Sequence, residues 1–508
     1  MALQATTDPL TLLPPELVLR ILDFATVPAL AAATCLSRAW HTFIDDTHQD
    51  VIYSSATKTK HPSNVHDFDF LKNAQSFVQY YDNTKCWKDL CKQQTVLSRN
   101  WDQQRPITTD LIRGTLWAGS TTRRTRWENS VWRFRPDFKR RIMISTAHSG
   151  GIHVLDLDTW KTLWSLPSTL MPDTYHAGTD GKVRPHAHLE YQDGTAVWDR
   201  EGNALEVWKT GLDGLARGEF RLVAVLPHDC QTRGFQLSHG TLCVVSTEGQ
   251  AFVYDMEGSS PTLKTRLQIE EGASGHLDQD EDVVMYSMGK HGYRIHDKLS
   301  GACLGVLQPW RCNNLYHIKH PEISHRSEIN DQRAEYGHPC GPSIDRLEPI
   351  QLERGPLPTL LRPEDEQELL LSEDEWGAGM LSFGLMVGVS RHGRIFICQD
   401  WREAMKQPEL QSPNSIVESQ ASSSSFDLGG WLSVKNNRIL FEVQDRAYVL
   451  ALTDEGALQD LPEPQRASYS FSNCEAAGYR PVSFMALYDD CIMSTYSVRS
   501  SLPMYEQH

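Results

Sequence analysis

The sequence has no apolar run approaching the ~18 residues that a membrane-crossing helix needs; Val27–Leu36, among the longest, is mostly alanine. A transmembrane protein is therefore not expected. The N-terminus carries no basic stretch and meets Pro14 and Pro15 before any long apolar core, so it does not read as a secretory leader. A disulfide framework is also missing. The eleven cysteines are odd in number and scattered, and the closest pair, Cys86 and Cys91, has four residues between them. A zinc site needs four converging ligands, and no second Cys or His pair stands at a matching distance. Reduced thiols in the cytoplasm or nucleus are the expectation. Excess positive charge is absent too: 49 Lys and Arg face 65 Asp and Glu, for a net −16, which argues against nucleic acid or an anionic membrane as partner of the whole surface.

Motifs that would mark an enzyme are missing as well. There is no phosphate-binding Gly-rich loop, no His-Glu-x-x-His and no Gly-x-Ser-x-Gly. Gly272-Ala273-Ser274-Gly275 is one residue short of a nucleophile elbow and reads as a turn. The twenty histidines, His186 and His188 among them, read as solvated or core residues. No cofactor, metal or catalytic residue is expected. What is present is material for a core: 40% hydrophobic and 22% charged residues over 508 positions. That length suits three domains, or one large repeat domain with a small companion.

Residues 13–24, LPPELVLRILDF, begin a helical module. Pro14 and Pro15 set a helix start, and Leu17, Val18, Ile21, Leu22 and Phe24 recur at helical spacing. Thr26 is placed to cap a second helix carrying Ala29–Leu36, and Trp40 and Phe43 share one side of a third. Three helices in about forty residues make too small a core to stand alone, so such a module buries its remaining apolar face elsewhere. Leu13-Pro14, Glu16-Leu17, Ile21-Leu22, Leu30 and Ser37-Arg38-Ala39-Trp40 together resemble an F-box, over residues 8–53. A polar stretch follows at 54–66. Trp87, Leu90, Leu97 and Trp101 then mark an amphipathic helix within a connecting segment, 54–105.

From about residue 131 the hydrophobic period changes from 3.6 to 2. A strand–turn–strand unit recurs around Gly150, Gly202, Gly249 and Gly292, separated by 52, 47 and 43 residues, and again near 393 and 446. That is the period of a four-stranded propeller blade. The units resemble WD repeats, with Leu155-Asp156, Tyr254-Asp255 and His296-Asp297 in place of the Trp-Asp pair. Residues 481–497 suggest a further unit, and 107–119 are suited to add an outer strand to it, which favours seven blades, with six or eight as the alternatives. The fold expected is therefore α plus all-β: a three-helix F-box and connecting helix, then a WD40-like β-propeller over 106–508. Two segments fall outside the blade pattern and read as inserted loops. One is 320–378, ending in seven acids among twelve residues (364–375), and the other is the Ser-rich 407–425.

Against the acidic background, residues 123–141 hold eight basic and two acidic side chains. Arg123, Arg124 and Arg126 are candidate contacts for an acidic target, with an import signal or a solvated surface as the alternatives. The joint resemblance, to F-box/WD-repeat proteins, implies a non-catalytic substrate receptor of an SCF (Skp1-cullin-F-box) ubiquitin ligase. In that reading Leu13, Pro14, Leu17, Val18, Ile21, Leu22, Leu30 and Trp40 meet a Skp1-type adaptor within a cullin-RING assembly. The propeller binds a protein substrate whose identity the sequence does not give. Two other classes stay open: an F-box-like propeller scaffold outside any ligase, and a propeller enzyme.

Overall fold

The computed structural model describes residues 8–57, 68, 71, 74–103, 131–170, 181–273, 276–310, 312–319, 347–356, 374–382, 384–406, 414–419, 431–443, 446–453, 456–458, 468–472 and 479–498. They fall into two units, residues 1–106 and 107–508.

The first unit is helical. It contains α1 (Pro9–Leu12), α2 (Pro15–Leu22), α3 (Val27–Thr34), α4 (Arg38–His41), a π-helical turn (Thr42–Thr47), α5 (Gln49–Ala56) and α6 (Trp87–Gln103). Side-chain oxygens take up helix-end N–H groups: Asp8 accepts from Leu10 N at 3.0 Å, Thr26 from Ala29 N at 3.4 Å and Ser37 from Trp40 N at 3.3 Å. Val18, Leu22, Leu30, Ile44, Ile52, Tyr53 and Cys91 form the core. The connecting helix begins at Trp87, and the polar stretch expected from 54 still belongs to α5 as far as Ala56. α6 packs on α5 rather than trailing away, because Leu90 and Cys91 are buried and Lys88 Nζ reaches Asp45 at 2.9 Å. Asp45 also accepts the Tyr53 hydroxyl at 2.8 Å and lies 3.5 Å from His41 Nε2, so the buried carboxylate is surrounded by polar partners.

The second unit is a β-propeller. Blade 1 holds β1 (Val131–Asp137), β2 (Ile142–Ala147), β3 (Ile152–Asp156) and β4 (Thr162–Leu166). Blade 2 holds β5 (Leu189–Gln192), β6 (Thr195–Arg200), β7 (Ala204–Thr210) and β8 (Phe220–Pro227). Blade 3 holds β9 (Thr232–Ser238), β10 (Thr241–Ser246), β11 (Gln250–Asp255) and β12 (Thr262–Gln268). Blade 4 holds β13 (Leu277–Gln279), β14 (Val283–Ser287), β15 (Tyr293–Asp297) and β16 (Cys303–Leu307). All are antiparallel meanders. Next in the chain come β17 (Asn314–Lys319), β18 (Glu348–Pro349) and β19 (Gln351–Gly355). Blade 5 follows as β20 (Trp376–Ser382), β21 (Leu385–Ser390), β22 (Arg394–Cys398), a short helix α7 (Trp401–Lys406), and β23 (Ser415–Glu418). Blade 6 is β24 (Leu432–Lys435), β25 (Arg438–Val443), β26 (Arg446–Ala451) and β27 (Tyr469–Ser472).

The repeat turns fall where the glycine spacing puts them, between second and third strands. At Gly292 (φ +79°) a Cβ would lie 2.3 Å from the Leu307 carbonyl oxygen, so glycine is required there twice over. The aspartates in the dipeptide positions end third strands and accept N–H groups of the next turn: Asp156 from Thr159 at 2.7 Å, Asp297 from Ser300 at 2.6 Å. The core lies between neighbouring blades. Val197, Leu205 and Val207 of blade 2, for example, pack against Phe235, Leu242 and Phe252 of blade 3.

Three expectations need correction. The described residues form six full blades, not seven; β28 (Tyr479–Leu487) and β29 (Ile492–Val498) make only a two-stranded sheet. The segment 107–119, expected to extend that sheet, lies outside the described residues. The 320–378 segment is not loop throughout: β19 pairs with β17, which runs parallel to β23 at the edge of blade 5, and β18 pairs with β27 of blade 6. Finally, 407–425 contains β23, the fourth strand of blade 5, whose Ile416 and Val417 are fully buried.

Candidate interaction surfaces

On the helical unit, the eight residues assigned to an adaptor do not share one face. A helix turns 100° per residue, so on α2 positions 17 and 21 run along one side and positions 18 and 22 along another. Val18, Leu22 and Leu30 are buried in the unit's own core and cannot touch a partner directly. Leu13 and Trp40 are half-buried against that core, and Pro14 is exposed. Leu17 and Ile21 point outward, 52% and 58% exposed. Phe24, in the turn after α2 and left out of the assigned set, is 79% exposed, and Leu12 and Leu36 are also open. The Arg20 guanidinium lies over the Phe24 ring, 5.5 Å from its centre. Contiguous outward apolar groups of this size mark contact surfaces on soluble proteins, since each contributes about 1.5–3 kcal/mol when covered.

On the propeller, three of the five described basic residues of the segment are neutralised by carboxylates of the same unit. Arg135 Nη2 reaches Glu190 at 2.8 Å, Arg140 Nη1 reaches Asp137 at 2.8 Å, and Arg141 Nη2 reaches Asp158 at 2.6 Å. Those three guanidinium groups are already paired and do not form a free docking patch. Arg123, Arg124 and Arg126 lie outside the described residues.

Sequence reasoning missed the polar cluster at the propeller axis, where first strands converge. Glu190 Oε1 on β5 receives Arg135 of β1 and contacts His188 Nε2 at 2.8 Å. Burial would raise Glu190, but Arg135 and His188 outweigh it and hold the carboxyl at about 2. Burial, reinforced by Arg133, lowers His188 to about 4 against the pull of Glu190. At neutral pH the His188–Glu190 contact is thus a hydrogen bond from a neutral ring to a carboxylate, not an ion pair. His188 and Arg135 stay 30% and 21% exposed, so water reaches the cluster even though protein surrounds it. Across the axis, Asp278 of β13 accepts from Gln236 Nε2 of β9 and from Leu381 N of β20, the latter at 2.6 Å. Burial pushes Asp278 up to about 6.

Arg133 differs from its neighbours. Its guanidinium carbon lies over Trp431, Phe484 and Trp132, at 4.7, 5.5 and 5.9 Å from the ring centres. Its Nε is buried with no hydrogen-bond partner, and no carboxylate pairs with it among the described residues. Burial and Arg135 lower it to about 10, which leaves it charged at neutral pH. Trp132 also meets His148 and His186 edge-on, each at 5.1 Å. The only advance signal was the alternation Trp132-Arg133-Phe134-Arg135, an unusual placing of cations in a first strand.

Among the described residues, no group of three or more His, Cys, Asp or Glu side chains is arranged to hold a metal ion, and no helix is long and apolar enough to cross a membrane. No protein-family model matches the chain. No curated protein matches it either. Among solved structures, the computationally designed Ika8 protein is similar at 13% identity over 72% of this chain and 93% of that one, with a TM-score of 0.39. A likeness that slight supports neither a family nor a function.

Proposed function

We propose that the protein is the substrate-recognition subunit of an SCF-type ubiquitin ligase, with its helical unit docking a Skp1-type adaptor and its propeller holding a protein target. The observation that carries this is the outward pair Leu17 and Ile21 on α2, continued by Phe24 in the turn after it, while the helix's other stripe, Val18 and Leu22, is already buried. A small helical module that docks a partner needs such a division, one stripe for its own core and one for the partner. The chain itself then performs no bond chemistry, and its contribution is proximity between a target and a charged conjugating enzyme. A propeller suits the second task because loops of variable sequence ride on a rigid scaffold.

The test compares two double variants of the full-length chain in adaptor co-purification. Leu17→Asp with Ile21→Asp puts unpaired charge into the contact while sparing the core, so adaptor recovery should fall at least a hundredfold with helix content unchanged. Val18→Asp with Leu22→Asp should instead unfold the helical unit, seen as lost helical circular dichroism. Adaptor recovery undiminished by the first pair sinks the assignment.

A further inference from the structure

We infer that Ser260, in the hairpin turn between β11 and β12 of blade 3, is a phosphorylation site for a proline-directed Ser/Thr kinase, and that its phosphate is received by Lys209 of blade 2. Neither half depends on what the propeller binds.

Residues 256–261 join the two strands, with Asp255 opposite Thr262. Glu257, Gly258, Ser259 and Ser260 are all exposed. Ser260-Pro261 is the only Ser-Pro or Thr-Pro pair among the described residues. Pro261 has no N–H and steers the residue before it to extended backbone, the form in which a kinase cleft takes up a substrate. The matching turn of blade 4 keeps its hydroxyl occupied: Ser300 Oγ donates to Asp297 Oδ1 at 2.7 Å. In blade 3 the corresponding Asp255 is committed elsewhere. One oxygen accepts from Glu257 N at 3.0 Å, and the other lies 2.9 Å from Lys264 Nζ. Among the described residues, neither the Ser259 nor the Ser260 hydroxyl has a hydrogen-bond partner, so Ser260 Oγ is free to act as a nucleophile.

In the transfer, Ser260 Oγ bonds to the γ-phosphorus of ATP and the bond from that phosphorus to the β–γ bridging oxygen breaks. ADP departs with the electron pair, and the hydroxyl proton passes to the kinase's catalytic carboxylate. The product carries about two negative charges at neutral pH and three acceptor oxygens. Lys209, near the end of β7, already reaches into this turn from the neighbouring blade. Its Nζ donates to Gly258 O at 2.6 Å and Met256 O at 3.5 Å. An ammonium has three donors, so one remains for the phosphate. Lys264 adds a second cation, since its exposed pair with Asp255 is weak. These two lysines balance Asp255 and Glu257, so the turn has no net charge to repel the dianion.

The experiment incubates the native full-length chain with a proline-directed Ser/Thr kinase and Mg-ATP, beside a heat-unfolded sample, and locates phosphate by peptide mass spectrometry. The native chain should carry phosphate at Ser260. Pro261→Ala should slow that modification about tenfold, and Ser260→Ala should abolish it. Thermal midpoints are then compared in a Ser412→Ala background, which removes the Ser-Pro pair that lies outside the described residues. Phosphate at Ser260 should raise the midpoint, and Lys209→Gln, measured against its own unmodified baseline, should remove the rise. Phosphate at Ser260 only in the unfolded sample, or at an equal rate in Pro261→Ala, overturns the assignment of the site. A midpoint that stays or falls on phosphorylation, or that rises equally in Lys209→Gln, overturns the role given to Lys209.

Discussion

Glu190 is the residue on which the axial charges depend. Glu190→Gln leaves Arg133 and Arg135 facing each other with no carboxylate between them, and breaking one partner of a buried pair costs about 3–5 kcal/mol. Its pH dependence follows from the direction of the shift. The folded-state pKa of about 2 is below the ordinary 4.5, so the stabilisation is present above the ordinary value and is lost as pH falls from there towards 2. The unaltered chain and Glu190→Gln should thus differ most near neutrality and converge in acid, as read by denaturant midpoints across pH. Two other axial groups act in opposite senses at intermediate pH. His188, lowered to about 4, makes stability rise with pH between about 4 and 6.5. Asp278, raised to about 6, makes it fall between about 3.8 and 6. These two offset one another, so the difference between the proteins below pH 4 belongs to Glu190.

At the level of elements, long and strongly patterned segments were legible in the sequence and short strands paired at a distance were not. The turn glycines and the two-residue alternation place each second-to-third-strand hairpin, because both signals are local. Ser415–Glu418 escaped because four residues between Pro- and Ser-rich stretches show too little alternation, although Ile416 and Val417 are fully buried. Residues 348–355 escaped because their partners, β17, thirty-odd residues upstream, and β27, more than a hundred downstream, cannot be inferred from an acid-rich context. The consequence is measurable. Ile350, 2% exposed in the core shared by blades 5 and 6, should cost about 2–4 kcal/mol when changed to Ala. Replacing 347–356 by a Gly/Ser linker should do worse, whereas the same replacement of 320–346 should shift the thermal midpoint by little, since loop-closure entropy varies slowly with length. A folded protein with an unchanged midpoint after replacing 347–356 would contradict the pairing described. The axial cluster was illegible for a different reason: its members come from four first strands, and nothing in the sequence separation of Arg133, Glu190, Gln236 and Asp278 brings them together.

For the whole propeller the decisive question is how the ring closes. The first strands of the six blades follow one another in contact, and β28 stands between the first strand of blade 6 and that of blade 1. The two-stranded sheet is held on both sides. Leu487 N donates to Ser433 Oγ at 3.1 Å and Asn436 Nδ2 to Asp489 at 2.9 Å on the blade 6 side. On the blade 1 side, Phe138 meets Tyr488 at 5.2 Å between ring centres. Phe484 spans both, edge-on to Phe134 at 4.9 Å and to Trp431 at 5.1 Å, with Arg135 over its ring. A hairpin with so few strands is marginal by itself and depends on this packing. Closure in turn removes the open flanks that blades 1 and 6 would otherwise present. Phe484→Ala should therefore cost about 3–5 kcal/mol, the ordinary range for a buried phenylalanine, and should also loosen the junction selectively. Hydrogen exchange is the discriminating measurement: amides of β1, β24, β28 and β29 should lose protection ahead of those in blades 3 and 4. Uniform loss of protection around the ring would mean that the propeller unfolds as one unit and that the hairpin is not its weak seam.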